Sequence, residues 1–125
     1  RVAEWLAGHP QIAQVIYPGQ QSGEARRRAD AYLKGGHGGL VGFELNRGVE
    51  AGRRFIDSLK LLYHVANIGD ARSLAIHPAS TTHSQLSPEE QQATGVTPGY
   101  VRRSIGLEHI DDIIADLRQA LETSV

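Results

Sequence analysis

The sequence predicts an α+β sandwich: a largely antiparallel sheet with helices packed on one face. Three observations predict it. Short apolar segments suited to strands interleave irregularly with stretches whose apolar residues recur at 3.6-residue spacing. Several connections between the strand-like segments are too short for a parallel crossover. A chain of 125 residues is long enough for one hydrophobic core and too short for two, so a single domain over residues 1–125 is expected.

The elements follow in chain order. Val2, Trp5 and Leu6 sit at helical spacing in an opening helix that Gly8, His9 and Pro10 break. The apolar run Ile12 to Tyr17 reads as a strand that ends in a turn at Pro18-Gly19. Gln20 to Lys34 is polar, and Glu24 with Arg28 at i,i+4 suits a solvated helix, which makes the triple arginine Arg26 to Arg28 surface rather than a phosphate grip. Leu40 to Leu45 alternates, with Val41, Phe43 and Leu45 on one side and Leu40, Gly42 and Glu44 on the other, as in a strand covered unequally on its two faces. Gly52, Phe55, Ile56, Leu59 and Leu62 then follow the helical repeat, predicting a helix from Val49 to Leu62. Strands are expected at Tyr63 to Ile68 and Ser73 to His77. Ser87-Pro88-Glu89-Glu90 combines an N-cap, a first-turn proline and a capping-box glutamate, with Gly95 as the stop. Tyr100 to Ile105 is the last strand. Ile110, Ile113, Ile114, Leu117 and Leu121 form the clearest amphipathic helix, with Asp111 and Asp112 favouring its N-terminal end.

Composition narrows the function classes. A net charge of −1, from 13 basic and 14 acidic residues, gives no footprint for nucleic acid or an anionic membrane. No stretch approaches the length of a membrane span or a signal peptide, which points to the cytoplasm. The absence of cysteine removes disulfides, thiol catalysis and thiolate metal sites. The chain also lacks methionine and opens inside a helical pattern, so it is expected to be a piece of something longer.

Few side-chain patterns point to chemistry. Gly35-Gly36-His37-Gly38-Gly39 precedes a strand, whereas phosphate loops follow one and open a helix. The six histidines include no His-Glu-x-x-His pair, so no metal is expected, and His77 and His83 read as hydrogen-bonding members of an ordered loop. No serine lies in a Gly-x-Ser-x-Gly elbow. In Arg102-Arg103 the side chains point to opposite faces of a strand: Arg103 shares the core side with Val101 and Ile105, and Arg102 shares the other with Tyr100 and Ser104. A guanidinium held on a sheet presents a planar fork that matches a carboxylate. Spacing alone leaves a surface salt bridge and a carboxylate grip both open for Arg102.

A resemblance narrows this choice. The runs Asn67-Ile68-Gly69-Asp70-Ala71-Arg72-Ser73-Leu74-Ala75-Ile76-His77-Pro78-Ala79-Ser80-Thr81-Thr82-His83-Ser84 and Gly95-Val96-Thr97-Pro98-Gly99-Tyr100-Val101-Arg102-Arg103-Ser104-Ile105-Gly106 resemble the O-acetylhomoserine sulfhydrylase branch of the cystathionine γ-synthase family. The likeness runs over nearly the whole chain, including Gly39 to Glu44, Phe55 to Leu62 and Glu108 to Ile114. It implies the small C-terminal domain of a pyridoxal-phosphate-dependent transferase, packed beside a large domain that carries the cofactor on a lysine. That lysine's Ser-x-x-Lys context is absent from these residues, so no catalytic, cofactor-binding or metal-binding residue is expected here. By resemblance Arg102 binds the α-carboxylate of the amino-acid substrate, Asn67 assists at the same carboxylate, and Thr82 neighbours the site. Arg72 stands where the γ-lyase and cystathionine-forming branches commonly carry an acidic residue, and Arg103 stands where the family is usually apolar.

The implied reaction is γ-replacement in methionine biosynthesis, with acetate leaving O-acetylhomoserine and sulfide or a thiol adding to give homocysteine or a homologue. The implied partners are the amino-acid substrate, the chain's own large domain and neighbouring subunits of a homo-oligomer. Alone, the chain is expected to be inactive. Two alternatives remain: cystathionine γ-synthase or γ-lyase specificity, and a free-standing α+β ligand-binding or regulatory module in which Arg102 is a structural ion pair.

Overall fold

The structure, a computed structural model, describes residues 1–67 and 69–125. Among the described residues, five α-helices and five strands follow the order α1 (Val2–Ala7), β1 (Ile12–Ile16), α2 (Gly23–Tyr32), β2 (Leu40–Leu45), α3 (Gly48–Ser58), β3 (Tyr63–His64), β4 (Leu74–Ile76), α4 (Pro88–Ala93), β5 (Tyr100–Ser104) and α5 (Ile110–Thr123). The strands form one sheet in the order β1-β2-β5-β4-β3. Every neighbouring pair is antiparallel except β3 with β4.

Alternation divides the sheet into two unlike faces. Across the central strands, Val41 stands opposite Arg103 and Arg103 opposite Ala75, while Phe43 stands opposite Val101. This row faces the core. Val2, Ala3 and Leu6 of α1, Phe55 and Ile56 of α3, and Ile113, Leu117 and Leu121 of α5 close over it in one buried cluster. The helical layer on one face is thus as expected. Its centre holds the Phe43 and Phe55 rings edge to face, with centroids 5.5 Å apart.

Three local outcomes differ from the sequence expectation. The helix predicted to reach Leu62 ends at Ser58, and Leu59 is already extended. The cause is tertiary: the buried carboxylate of Asp116, on α5, accepts hydrogen bonds from the backbone N–H groups of Lys60, Leu61 and Leu62 at 2.9, 2.9 and 3.1 Å. Those donors would otherwise bond within a continuing helix. Leu62 still reaches the core, from the connection rather than the helix.

The strand expected over Tyr63 to Ile68 is two residues long within the described residues, and Ile68 lies outside them. It pairs parallel to β4, although the intervening connection is short, because the chain loops back through Asp70 to Ser73 instead of reversing in a hairpin. That loop is tied to the exit of β5. The Ser73 N–H and hydroxyl donate to Glu108 at 2.7 and 2.8 Å, and the Gly106 N–H donates to the Ser73 hydroxyl at 2.9 Å. A Cβ at Gly106 would lie 2.4 Å from the Ala71 carbonyl oxygen, so only glycine permits this approach.

The capping box at Ser87 is present, with Glu90 N–H to Ser87 Oγ at 3.3 Å and Ser87 N–H to Glu90 Oε2 at 2.8 Å. The pairing of Glu24 with Arg28 is present as well, at 3.4 Å.

Candidate functional site

Arg102 belongs to the face of the sheet turned away from the main core. It stands between Gly42 of β2 and Ile76 of β4 as their direct cross-strand neighbour, while Leu40, Ser104 and Leu74 form the adjacent row. Ladders on both sides of β5 fix its backbone. Ile76 and Leu74 are buried, and Arg102 is half-buried. The guanidinium therefore rises from a rigid, partly apolar floor, where a charge-assisted contact is stronger than in open water.

Tyr100 shares this face and was not given a role by sequence reasoning. Its ring lies over Gly42: a Cβ there would meet the phenol oxygen at 2.5 Å and the ring carbons Cε2 and Cζ at 2.6 and 2.9 Å. Burial pushes the phenol pKa up from its ordinary value, and the positive charge of Arg102 opposes that shift. The hydroxyl is a neutral donor at physiological pH. The available signal was the i,i+2 spacing of Tyr100 and Arg102 combined with a glycine on the facing strand.

β4 leads directly into His77, which is buried against α3. A Cβ at Gly52 would lie 2.5 Å from His77 Nε2, so the imidazole occupies space that a side chain on α3 would take. Nε2 donates to the Pro98 carbonyl at 2.8 Å, and Nδ1 shares a 2.8 Å hydrogen bond with the Ser80 hydroxyl. The expectation of a hydrogen-bonding histidine in an ordered loop is met. His77 joins the start of the 77–98 excursion to its end, next to β5.

Burial, reinforced by the charges of Arg53 and His64 and opposed by the Pro98 contact, holds the His77 pKa below its ordinary 6.5. A histidine depressed in the folded state is protonated first in the unfolded chain. Its stabilising contribution is present above pH 6.5 and is lost as pH falls toward the folded value. His9, depressed mainly by burial, acts in the same direction. Urea unfolding is therefore expected to show stability falling from pH 7 to pH 5, with part of the slope removed by His77→Gln. Parallel pH profiles for the two proteins would show that His77 is not a source of the effect.

The other sequence-predicted site residues lie toward the same end of the sheet. β3 and β4 run parallel and exit where β5 enters, which brings the segment after Val65, the 77–82 turn and Tyr100 to one edge. Asn67 is exposed there. Thr82 is also exposed, and its hydroxyl is 2.9 Å from His83 Nδ1. Arg72 stacks over Tyr63 at 4.7 Å and lies 3.8 Å from Asp70. Both lysines are exposed: Lys34 donates to the Asp30 carbonyl at 2.9 Å, and Lys60 lies on the connection after α3, so neither sits on a helix as expected. Among the described residues no group of three His, Cys, Asp or Glu side chains is placed to hold a metal ion, and no helix is long and apolar enough to cross a membrane.

Comparison with known proteins sets this geometry in context. A family model of the Cys/Met metabolism PLP-dependent enzymes matches residues 1–122. The chain belongs to this family. It is 55% identical over 120 residues to O-acetyl-L-homoserine sulfhydrylase 1 of Thermus thermophilus, covering 96% of this chain and 28% of that protein. It is 54% identical over 123 residues to O-acetyl-L-homoserine sulfhydrylase of Leptospira meyeri, covering 98% of this chain and 28% of that protein. A crystal structure described as an O-acetylhomoserine (thiol)-lyase of Campylobacter jejuni, with a pyridoxyl-lysine monophosphate, superposes with a TM-score of 0.88 at 48% identity, over 97% of this chain and 29% of that one. The chain thus spans a little over a quarter of the length of the curated relatives it matches. Its α+β fold is that of the corresponding part of a family member.

Proposed function

We propose that this chain is the C-terminal, carboxylate-binding domain of a pyridoxal-phosphate-dependent O-acetylhomoserine sulfhydrylase, in which Arg102 grips the α-carboxylate of the amino-acid substrate. The observation that carries this reading is the placement of Arg102, half-buried at the centre of the sheet face opposite the core and fixed by a ladder on each side. Arg26 and Asp30, which do form an ion pair 3.0 Å apart, lie instead on the helix α2. Relatives bearing the sulfhydrylase name at 54–55% identity support the activity.

The described residues do not fit the cofactor itself. A Schiff-base lysine needs an enclosed pocket that holds the cofactor against it, and both lysines here are exposed. The pyridoxal phosphate of the whole enzyme is therefore assigned to the large domain, where it supplies the electron sink. This chain contributes orientation. A guanidinium stays protonated at any physiological pH and fixes both carboxylate oxygens at once, which sets the direction of the substrate's Cα–H bond and converts binding into rate. Asn67 adds an amide at the same carboxylate, and Thr82 borders the site. The reaction is replacement of the γ-acetate by sulfide, giving homocysteine, or by a thiol, giving its S-substituted homologue, for methionine synthesis in a cytoplasmic homo-oligomer.

The full-length protein is expected to form homocysteine from O-acetylhomoserine and sulfide, and the 125-residue chain to be silent. Elimination from methionine or cystathionine without sulfhydrylation would move the enzyme to the γ-lyase branch. Borohydride-trapped cofactor at Lys34 or Lys60 of the isolated chain would overturn the domain assignment.

A further inference from the structure

The side chain facing Arg102 across the β2–β5 ladder is supplied by Tyr100 rather than by residue 42. Gly42 is the direct cross-strand partner of Arg102, and Tyr100 is the partner of Glu44. Directly opposed side chains in an antiparallel pair have Cβ atoms about 4.5–5.5 Å apart. The phenol oxygen lies 2.5 Å from where a Gly42 Cβ would be. Tyr100 thus reaches diagonally along its own face and places its hydroxyl where the neighbour of Arg102 would stand. Ile76, on the other side of Arg102, is apolar and buried. A ligand carboxylate seated on the guanidinium consequently meets a hydrocarbon wall from β4 and a hydroxyl from the β2 side.

We propose that Tyr100 is the second donor of the carboxylate site, its hydroxyl bonding the carboxylate that Arg102 grips, and that residue 42 is glycine to admit the phenol to that position. This inference rests on the carboxylate reading above. It assigns specificity to a group outside Arg102, Asn67 and Thr82: a planar anion that spans both donors is favoured, and an amide or ester at the same place keeps neutral hydrogen bonds but loses the ionic contact with Arg102. A phenol whose pKa burial raises is suited to this task, since it remains a donor at physiological pH, where the carboxylate is charged.

The test uses the full-length holoenzyme with O-acetylhomoserine and sulfide. Tyr100→Phe keeps the ring over Gly42 and removes only the hydroxyl. It is expected to raise the KM for O-acetylhomoserine by about tenfold or more, the loss that follows removal of one hydrogen bond to a charged group, with the KM for sulfide unmoved and the melting temperature kept. Gly42→Ala is expected to raise the same KM by displacing the phenol, and to add little once Tyr100 is alanine. A Tyr100→Phe enzyme with the wild-type KM, alongside an Arg102→Ala enzyme with a raised one, overturns the role of Tyr100 and leaves the carboxylate reading standing. Wild-type KM values in both variants remove the carboxylate reading, and this inference with it. A KM that rises in Gly42→Ala but not in Tyr100→Phe assigns the pair to packing alone and also overturns the proposal.

Discussion

Arg102→Ala in the full-length enzyme is expected to lower kcat/KM for O-acetylhomoserine by about 30-fold to a few thousand-fold, equivalent to about 2–5 kcal/mol of transition-state binding. The size follows from the setting of the side chain. Arg102 is half-buried between Gly42 and Ile76, and a bidentate contact to a carboxylate in such a place is lost together with the partial desolvation already invested in it. Folding stability is expected to change little, because Arg102 lies on the face opposite Val101 and the core cluster. Arg102→Lys should recover only part of the activity, since an ammonium is a point charge and cannot match two oxygens in one plane. Sulfide kinetics are expected to stay as in the wild type, as the nucleophile carries no carboxylate. A variant with unchanged kcat/KM for O-acetylhomoserine, alongside an inactive Arg103→Ala, would place the grip on the other face of β5.

Which face Arg102 occupies was legible from alternation alone, because Val101 and its apolar neighbours left only one side for it. The strand Leu40–Leu45, the capping box at Ser87 and the helix Ile110–Thr123 were legible for the same kind of reason, each being specified by residues within a few positions of itself. What the sequence did not show depends on partners distant in the chain. The helical repeat continues through Leu59 and Leu62, yet Asp116 captures the three backbone donors that would extend it, and no local pattern announces a carboxylate more than fifty residues away. The segment that leads into β4 is tied to residues thirty and more positions away, through the clasp between Ser73, Gly106 and Glu108. The position of the Tyr100 phenol depends on a glycine in another strand. In the candidate site the charged group was therefore visible in the sequence and its surroundings were not.

The largest stability effects are expected where Arg103 and Asp116 are buried together. Arg103 is 0% exposed, and its guanidinium lies over the Phe43 ring at 4.3 Å and the Phe55 ring at 5.6 Å. Among the described residues none of its three side-chain nitrogens has a hydrogen-bond partner. Burial pushes its pKa down to about 9, with the negative charge of Asp116 opposing the shift, so the group is a cation at neutral pH. Stacking on aromatic faces returns about 2 kcal/mol when desolvated, whereas removing a cation from water costs several kcal/mol. The balance is unfavourable, and the sequence position was expected to be apolar. Arg103→Met, which keeps the length and offers sulfur to both rings, is expected to raise the unfolding free energy by about 1–4 kcal/mol. The gain should be flat between pH 5 and 8, because a guanidinium depressed in the fold gives up its penalty only as pH rises beyond about 9.

Asp116→Ala has the opposite sign. It leaves the N–H groups of Lys60, Leu61 and Leu62 without their acceptor and takes the compensating charge from Arg103. A loss of about 3–5 kcal/mol is expected in urea unfolding. In the Arg103→Met background the same substitution should cost less, since the cation it compensated is gone, and the difference measures the coupling between the two residues. A cost below about 1 kcal/mol for Asp116→Ala, or an identical cost in both backgrounds, would mean that the end of α3 and the buried arginine are held by something other than this carboxylate.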